Sequence, residues 1–381
     1  MLIGIPREIK NNEKRIGMTP AGVRELVQHG HGVLVERDGG AAIGFTDAQY
    51  VEAGAEIVAS AQDVFARSEL VIKVKEPQPG ECGMLRPGQI LFTYLHLAPD
   101  PQQASLLLQS GATCIAYETV TSDSGGLPLL APMSEVAGRM SIQAGAHHLE
   151  LSRGGLGVLL GGVPGVEPAK VLVIGGGVVG VNAARMAAGL GADVTLLDRS
   201  LDRLREIDVQ FDGRLRTVYS TSDAIERYAL EADLVVGAVL IPGAAAPRLI
   251  SRELVARMKK GAVLVDVAID QGGCFATSRP TTHDDPTFTV DDVVHYCVAN
   301  MPGGVARTST ISLTNATLPY ALQLANRGVA GALDHDPHLR NGLNVHAGAV
   351  THAAVAESLG YPFTEPLSAL SASRGRAALV S

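Results

Sequence analysis

Short, uniformly apolar runs alternate with helical patterns twice along this chain, and that alternation restricts its fold more than any other feature. In the first 120 residues LIGIP, GVLVER, LVIKVK, QILFTYLH and TCIAYETV read as strands. Between them TPAGVRELVQHG, DAQYVEAG, SAQDVFARSE and DPQQASLLLQSG read as helices, three of them opened by Thr, Ser or Asp at an N-cap position. Such an order implies a parallel sheet covered by helices on both faces. A long helical pattern begins at Ser134, and a Gly-rich connector spans residues 154–165. A second series opens at Ala169, with KVLVIG, DVTLLD, RTVYS, LVVGAV, AVLVDV and VHYCVAN as six strands. After Asn300 the alternation stops. A helical segment covers 313–327, and a polar, Gly- and His-rich portion follows. These segments predict an α/β protein with two parallel sheets. Residues 134–304 would form one domain, inserted into a discontinuous domain of 1–133 and 305–381, with helices near 134–152 and 308–327 bridging them.

The second series opens on a motif with a mechanism. At the exit of KVLVIG, Gly175-Gly176-Gly177-Val178-Val179-Gly180 contains G-x-G-x-x-G, and the helical stretch VNAARMAAGLGA follows. Gly175 suits a tight turn, Gly177 lets backbone approach a pyrophosphate, and Gly180 lets helix and strand pack closely. Asp198 closes the next strand, where a carboxylate accepts the ribose hydroxyls of NAD and repels the 2′-phosphate of NADP. Arg199, directly after it, leaves room for NADP. Strand, turn, helix and acid together predict a Rossmann-like dinucleotide site. Ligands in such sheets lie beyond the carboxyl ends of the strands. That rule selects Ser220, Val239, Leu240, Val267, Ala268, Ile269, Asp270, Val298, Ala299, Asn300 and Met301. Asp270 and Asn300 are the polar ones suited to a nicotinamide, although Asp270 also reads as a helix-cap or turn acid.

The same rule applied to the first sheet picks out different chemistry. Lysine is scarce, yet Lys73 and Lys75 both fall in LVIKVKEP, on one face by alternation, with Lys75 at the carboxyl end. His96 ends ILFTYLH, and Arg15 sits in the polar loop NNEKRIG. Singly, a loop arginine reads as a solvated charge and a strand-end histidine as structural. Together they place a guanidinium, an ammonium and an imidazole on candidate functional loops, suited to holding a carboxylate and exchanging a proton near neutral pH.

Composition removes other classes. Aromatic residues make up 4% with no tryptophan, and the net charge is -8, which argues against a nucleic-acid surface. The longest apolar stretch, 234–246, is broken by Pro242 and is too short to span a membrane. The first residues carry no signal-peptide pattern. The four cysteines (Cys82, Cys114, Cys274, Cys297) lie far apart, so a soluble, cytoplasmic protein without disulfides is expected. Glycine is the excess, 43 of 381 residues, and much of it falls at these strand exits.

The combination MLIGIPREIKNNEKRIGMTP, LVIKVKEP, FTYLHLA, MSEVAGRMSIQAGAHHLE, VLVIGGGVVGVNAA, DVAIDQGG and CVANMPGGVARTST resembles the NAD-dependent alanine dehydrogenase family over essentially the whole chain. The transhydrogenase NAD-binding subunit and the lysine-opine dehydrogenases share the pattern less closely. The resemblance implies reversible oxidative deamination of L-alanine to pyruvate and ammonium with reduction of NAD. It also implies an active site in an interdomain cleft and assembly as homohexamers. Arg15 and Lys75 match its substrate-binding pair, and His96 and Asp270 its acid/base residues. Ser134, Val178, Asp198, Arg203, Ser220, Leu240, Asp270, Asn300 and Met301 match its cofactor contacts. Gly175, Gly177, Val179, Gly180, Val239, Val267, Ala268, Ile269, Arg279, Val298 and Ala299 complete the expected cofactor set. Position 203 is often lysine in the family. Some members hold a metal through an acid and a histidine whose counterparts here are Gln323 and Arg327, so no metal is expected. A transhydrogenase subunit and a non-catalytic NAD-responsive regulator are the rival readings.

Overall fold

The computed structural model describes residues 1–239 and 246–378. The chain divides into two compact units, Met1–Pro132 with Val305–Ser381, and Met133–Gly304. The first unit carries β1 (Leu2–Ile5), β2 (Gly32–Glu36), β3 (Glu56–Val58), β4 (Leu70–Ile72), β5 (Ile90–Thr93) and β6 (Thr113–Ala116). All six are parallel, side by side in the order β3-β2-β1-β4-β5-β6. The second unit carries β7 (Lys170–Ile174), β8 (Asp193–Asp198), β9 (Arg216–Tyr219), β10 (Leu234–Gly237), β11 (Val263–Asp266), β12 (Thr287–Val290) and β13 (Val293–Tyr296). Its parallel strands run β9-β8-β7-β10-β11-β13, the same third-second-first-fourth-fifth-sixth order. The chain then adds β14 (Leu343–His346) and β15 (Ala349–Val350) to the first sheet, beyond β6. The protein is therefore α/β with two mostly parallel sheets, as the alternation predicts.

Local chemistry explains the helices between these strands. Thr19 accepts a hydrogen bond from the Gly22 amide at 3.2 Å and caps the helix Pro20–Gln28, whose first residue is proline. Thr46 and Gln49 form a capping box on the next helix. Asp100 caps Pro101–Ser110, which ends at Gly111 with φ of 66°. In β7, Val171 and Val173 join one apolar cluster while Leu172 and Ile174 join another. Alternate residues thus feed two cores, one under each layer of helices.

Four strands, β3, β12, β14 and β15, escape the sequence patterns. β3 is only three residues long. β12 pairs antiparallel with β13, and β14 antiparallel with β6 and β15. Both edge hairpins turn on two residues with positive φ, Asp291 and Asp292 (51° and 63°) and Ala347 and Gly348 (48° and 84°). Neither pair is the Asn-Gly or Asp-Gly that announces such a turn. The segment expected as helix over 313–327 is longer, Ala306–His335, and Gly328 with φ of 66° interrupts it one residue past the expected end. All four cysteines are buried and free. Among the described residues no helix is long and apolar enough to cross a membrane.

Candidate active site

In the second unit β7 runs into Gly175, whose φ of 107° is open to glycine and costly for other residues. The Gly176 amide donates to Asp198 Oδ2 at 2.6 Å, and its carbonyl accepts from Arg203 Nε at 2.7 Å. Asp198 Oδ1 also accepts the Ser200 amide at 2.8 Å. The acid at the end of β8 and the cation at 203 therefore shape the turn itself. Gly177 is the N-cap of the helix Val178–Gly189 and supplies no side-chain cap, so the first helical amides, those of Val178 and Val179 among them, are suited to an anion. A Cβ on Gly180 would overlap the carbonyl oxygen of Gly175, whereas one on Gly177 would meet nothing within 4 Å. One glycine serves the turn, one the packing, and one an open helix end. This geometry fits a pyrophosphate at the helix end.

The remaining strand ends of this unit carry the other expected positions. The Ser220 amide donates to the Asp198 carbonyl at 2.9 Å, and Val239 follows β10. Leu240 lies outside the described residues. After β11 the chain folds around Asp266, which no sequence pattern singled out. Its buried carboxylate accepts from the amides of Ala268 (3.1 Å), Cys274 (2.8 Å) and Phe275 (3.3 Å) and from Ser278 Oγ (2.5 Å). Burial raises the Asp266 pKa, and these donors work against that rise. The loop so tied carries Val267, the buried Ala268 and Ile269, and an exposed Asp270 in the 3-10 turn Ile269–Gln271. A carboxylate closing the otherwise apolar VLVD was the available signal. Arg279 is exposed, its guanidinium 4.2 Å above the Phe288 ring. Beyond β13, Val298 and Met301 are buried and Ala299 half-buried. Asn300 has φ of 60° and its carbonyl accepts from His283 Nε2 at 3.1 Å. Ser134 is half-buried on the helix Ala131–His148.

In the first unit the selected residues also follow strand exits. Arg15, expected as a solvated loop charge if it has no function, is 2% exposed and Glu13 is fully buried. Glu13 grips it side-on, Oε1 with Nε at 2.7 Å and Oε2 with a terminal nitrogen at 2.6 Å. Burial opposes the Arg15 charge, but the Glu13 carboxylate outweighs it and raises the Arg15 pKa. The alternation that put Lys73 and Lys75 on one face does not hold, because β4 ends at Ile72. Lys73 is fully buried between Glu8 Oε2 (3.1 Å) and Glu81 Oε1 (2.8 Å), a structural ion cluster. Those carboxylates outweigh burial and raise its pKa. Glu8 Oε1 also accepts the amides of Val74 (2.6 Å) and Lys75 (3.3 Å), and Thr93 Oγ1 donates to the Lys75 carbonyl at 3.0 Å. The half-buried Lys75 is thus presented by a fixed backbone.

His96 leaves β5 with a φ of 48° and a side chain 45% exposed. Its ring stacks on Tyr94 at 5.7 Å with a 4° interplanar angle, and Tyr94 donates its hydroxyl to the Leu129 carbonyl at 2.5 Å. Burial pushes the Tyr94 phenol up, and the Arg15 charge works against that rise. Glu13, Glu8, Tyr94 and Glu118 were missed in the sequence, since acids and tyrosines are spread through it and only folding pairs them with Arg15, Lys73 and His96. Asp270 belongs to the other unit. Gln323 and Arg327 line a cavity of about 680 Å3 together with Asp123, His335 and His338, and Gln323 Nε2 donates to the Ala332 carbonyl at 3.4 Å.

Comparison with known proteins adds independent findings. The family model described as "Alanine dehydrogenase/PNT, N-terminal domain" matches residues 4–137, and "Alanine dehydrogenase/PNT, C-terminal domain" matches 141–353. The chain is 60% identical over 97% of its length to the alanine dehydrogenase of Halomonas elongata, covering 99% of that protein. It is 57% identical over 97% to the alanine dehydrogenase of Mycobacterium tuberculosis, covering all of it. A solved structure titled L-alanine dehydrogenase superposes with a TM-score of 0.92 at 51% identity, over 94% of this chain and 99% of that one. A transhydrogenase from Sinorhizobium meliloti superposes with a TM-score of 0.80 over 93% of this chain and all of the other, at 23% identity, a likeness of fold alone. With both family models matched in chain order and 60% identity over almost its whole length, this chain belongs to the alanine dehydrogenase/PNT family and carries that family's nucleotide-binding C-terminal domain.

Proposed function

We propose that this chain catalyses the reversible conversion of L-alanine, water and NAD+ to pyruvate, ammonium, NADH and a proton. The observation that carries this reading is the end-to-end likeness to alanine dehydrogenases in a chain that retains Arg15, Lys75, His96 and Asp270. Arg15, kept charged by Glu13, and Lys75 hold the substrate carboxylate and so fix the orientation of its Cα. The Gly175–Gly180 turn would hold the pyrophosphate of NAD and Asp198 its ribose, and the cofactor would supply the hydride acceptor for that carbon. His96 and Asp270 exchange protons with the reacting groups as water adds and ammonia leaves. In the reductive direction the two cations also favour polarisation of the pyruvate carbonyl. Asp198 supports NAD over NADP, with Ser134, Arg203, Ser220, Arg279 and Asn300 contributing further contacts. Assembly as a homohexamer and residence in the cytoplasm belong to the same reading.

The test follows NADH absorbance with pyruvate and ammonium, alone and together. Oxidation should require both, and failure with every small 2-oxo acid would end the proposal. His96→Ala should lower kcat by roughly 10²–10⁴-fold. Near-normal turnover in that variant would remove His96 from the reaction.

A further inference from the structure

We propose that Glu118 is the positioning residue for His96, holding the turn that presents the imidazole. This rests on the reading of His96 as an acid/base group. His96 occupies the left-handed region, φ 48°, which L-residues other than glycine avoid and keep only where surrounding structure holds them. Glu118 lies in the 3-10 turn Tyr117–Thr119 at the exit of β6, the strand next to β5. Its Oε1 accepts the His96 amide at 2.6 Å, and both its oxygens accept the Leu95 amide at 3.2 Å. One carboxylate therefore clasps two consecutive amides of a strained turn. Charge-assisted bonds of this kind are about twice as strong as neutral ones.

The same carboxylate reaches the ring. Glu118 Oε1 is 3.9 Å from His96 Nδ1, too far for a hydrogen bond and close enough to form an ion pair with an imidazolium. The Glu118 side chain is 14% exposed, so water screens this charge little. Tyr94 fixes the plane of the ring by stacking, while Glu118 fixes the main chain beneath it. The carboxylate also acts electrostatically on Tyr94 and on His352, whose ring Nδ1 is buried without a hydrogen-bond partner among the described residues. Among the described residues it is Glu118 whose carboxylate accepts the His96 amide, and the same carboxylate lies beside the His96 ring. A glutamine at 118 would keep the shape but turn one end into a donor facing amides that also donate.

The experiment compares Glu118→Gln in the unaltered enzyme and in a His96→Ala background, with Glu118→Asp alongside. NADH binding by fluorescence, a function of the other unit, verifies that each variant is folded. Glu118→Gln should lower kcat about 100-fold, the scale of a misplaced catalytic group. KM for pyruvate and for NADH should stay within about threefold, because neither carboxylate binding nor nucleotide binding is touched. In the His96→Ala background the same substitution should change kcat by less than about threefold, since its effect passes through the missing ring. Glu118→Asp, which keeps the charge, should lose less than Glu118→Gln, and it carries the test should the glutamine variant fail to fold. Equal losses in both backgrounds, or a loss confined to KM, would overturn the inference while leaving the role of His96 intact. Full turnover in His96→Ala alone would instead overturn the reading on which the inference rests.

Discussion

The turn at Gly175–Gly180 and the cluster around Arg15 are both suited to an anion, and they are made of different materials. In the turn the groups offered are backbone amides at the start of a helix, and the sequence contributes mainly the absence of side chains. Around Arg15 the group offered is a buried cation, stabilised by a carboxylate that is itself fully buried. A backbone site needs little beyond correct dihedrals and close packing. A site made of buried charges needs every charge matched, because an unmatched one inside a protein is costly. The comparison therefore predicts opposite responses to substitution.

Arg15→Ala should have the largest effect on the fold. It leaves Glu13 buried without the guanidinium that grips it side-on, a loss of about 3–5 kcal/mol, visible as a lowered denaturation midpoint in urea. A double variant, Arg15→Ala with Glu13→Gln, should recover part of that stability while KM for pyruvate stays high. Full stability in Arg15→Ala would show that the pair is not needed for folding and would break the contrast with the turn.

Gly180→Ala should follow, at about 1–3 kcal/mol, because its Cβ would run into the Gly175 carbonyl oxygen and helix and strand must part. Gly177→Ala should leave the thermal midpoint unchanged, since a Cβ there has open space. It should instead weaken NADH binding, about tenfold, by keeping a pyrophosphate away from the helix end. Calorimetry with and without NADH separates the two variants. If both lost stability alike, the division of glycines into packing and ligand-facing positions would fall.

The same contrast decides how much of the molecule could be read from its sequence. A site of backbone leaves a linear trace, in which the glycine spacing, the strand before it and Asp198 after it mark the turn residue by residue. The six parallel strands of the second unit are legible for a related reason, since buried parallel strands are continuous apolar runs. A site of paired charges leaves only half a trace. Arg15 and His96 stand out as polar residues at strand exits, but their partners Glu13 and Glu118 are ordinary acids until the fold selects them. Lys73 shows the converse failure. It reads as the companion of Lys75, yet it is enclosed by Glu8 and Glu81 and serves the core. The edge strands were hidden because antiparallel partners and turns such as Asp291-Asp292 are chosen by tertiary pairing rather than by local signal. Asp266 was hidden because the groups it binds come from a loop that the acid itself organises.

Acid should produce the smallest effect, and one that ignores the contrast. Burial lowers the pKa of His148 and His295 in the second unit and of His346 and His352 in the first, all from 6.5. A histidine whose folded pKa lies below its unfolded one binds fewer protons when folded. Its contribution is complete above pH 6.5 and is lost as pH falls toward the folded value. Each such residue adds at most one proton to the linkage, so its slope stays under about 1.4 kcal/mol per pH unit. His295 shows why the neutral form is preferred. Its Nδ1 must donate to the Val293 carbonyl at 3.0 Å, which leaves Nε2 to accept the Thr277 hydroxyl at 2.7 Å, and protonation would cancel that acceptor. Urea midpoints measured between about pH 7.5 and about pH 5.5 should fall, and His295→Gln and His346→Gln should each flatten the fall by a comparable amount. If only one of the two variants did so, acid sensitivity would belong to one unit, and the difference between the two would extend from their sites to their stability.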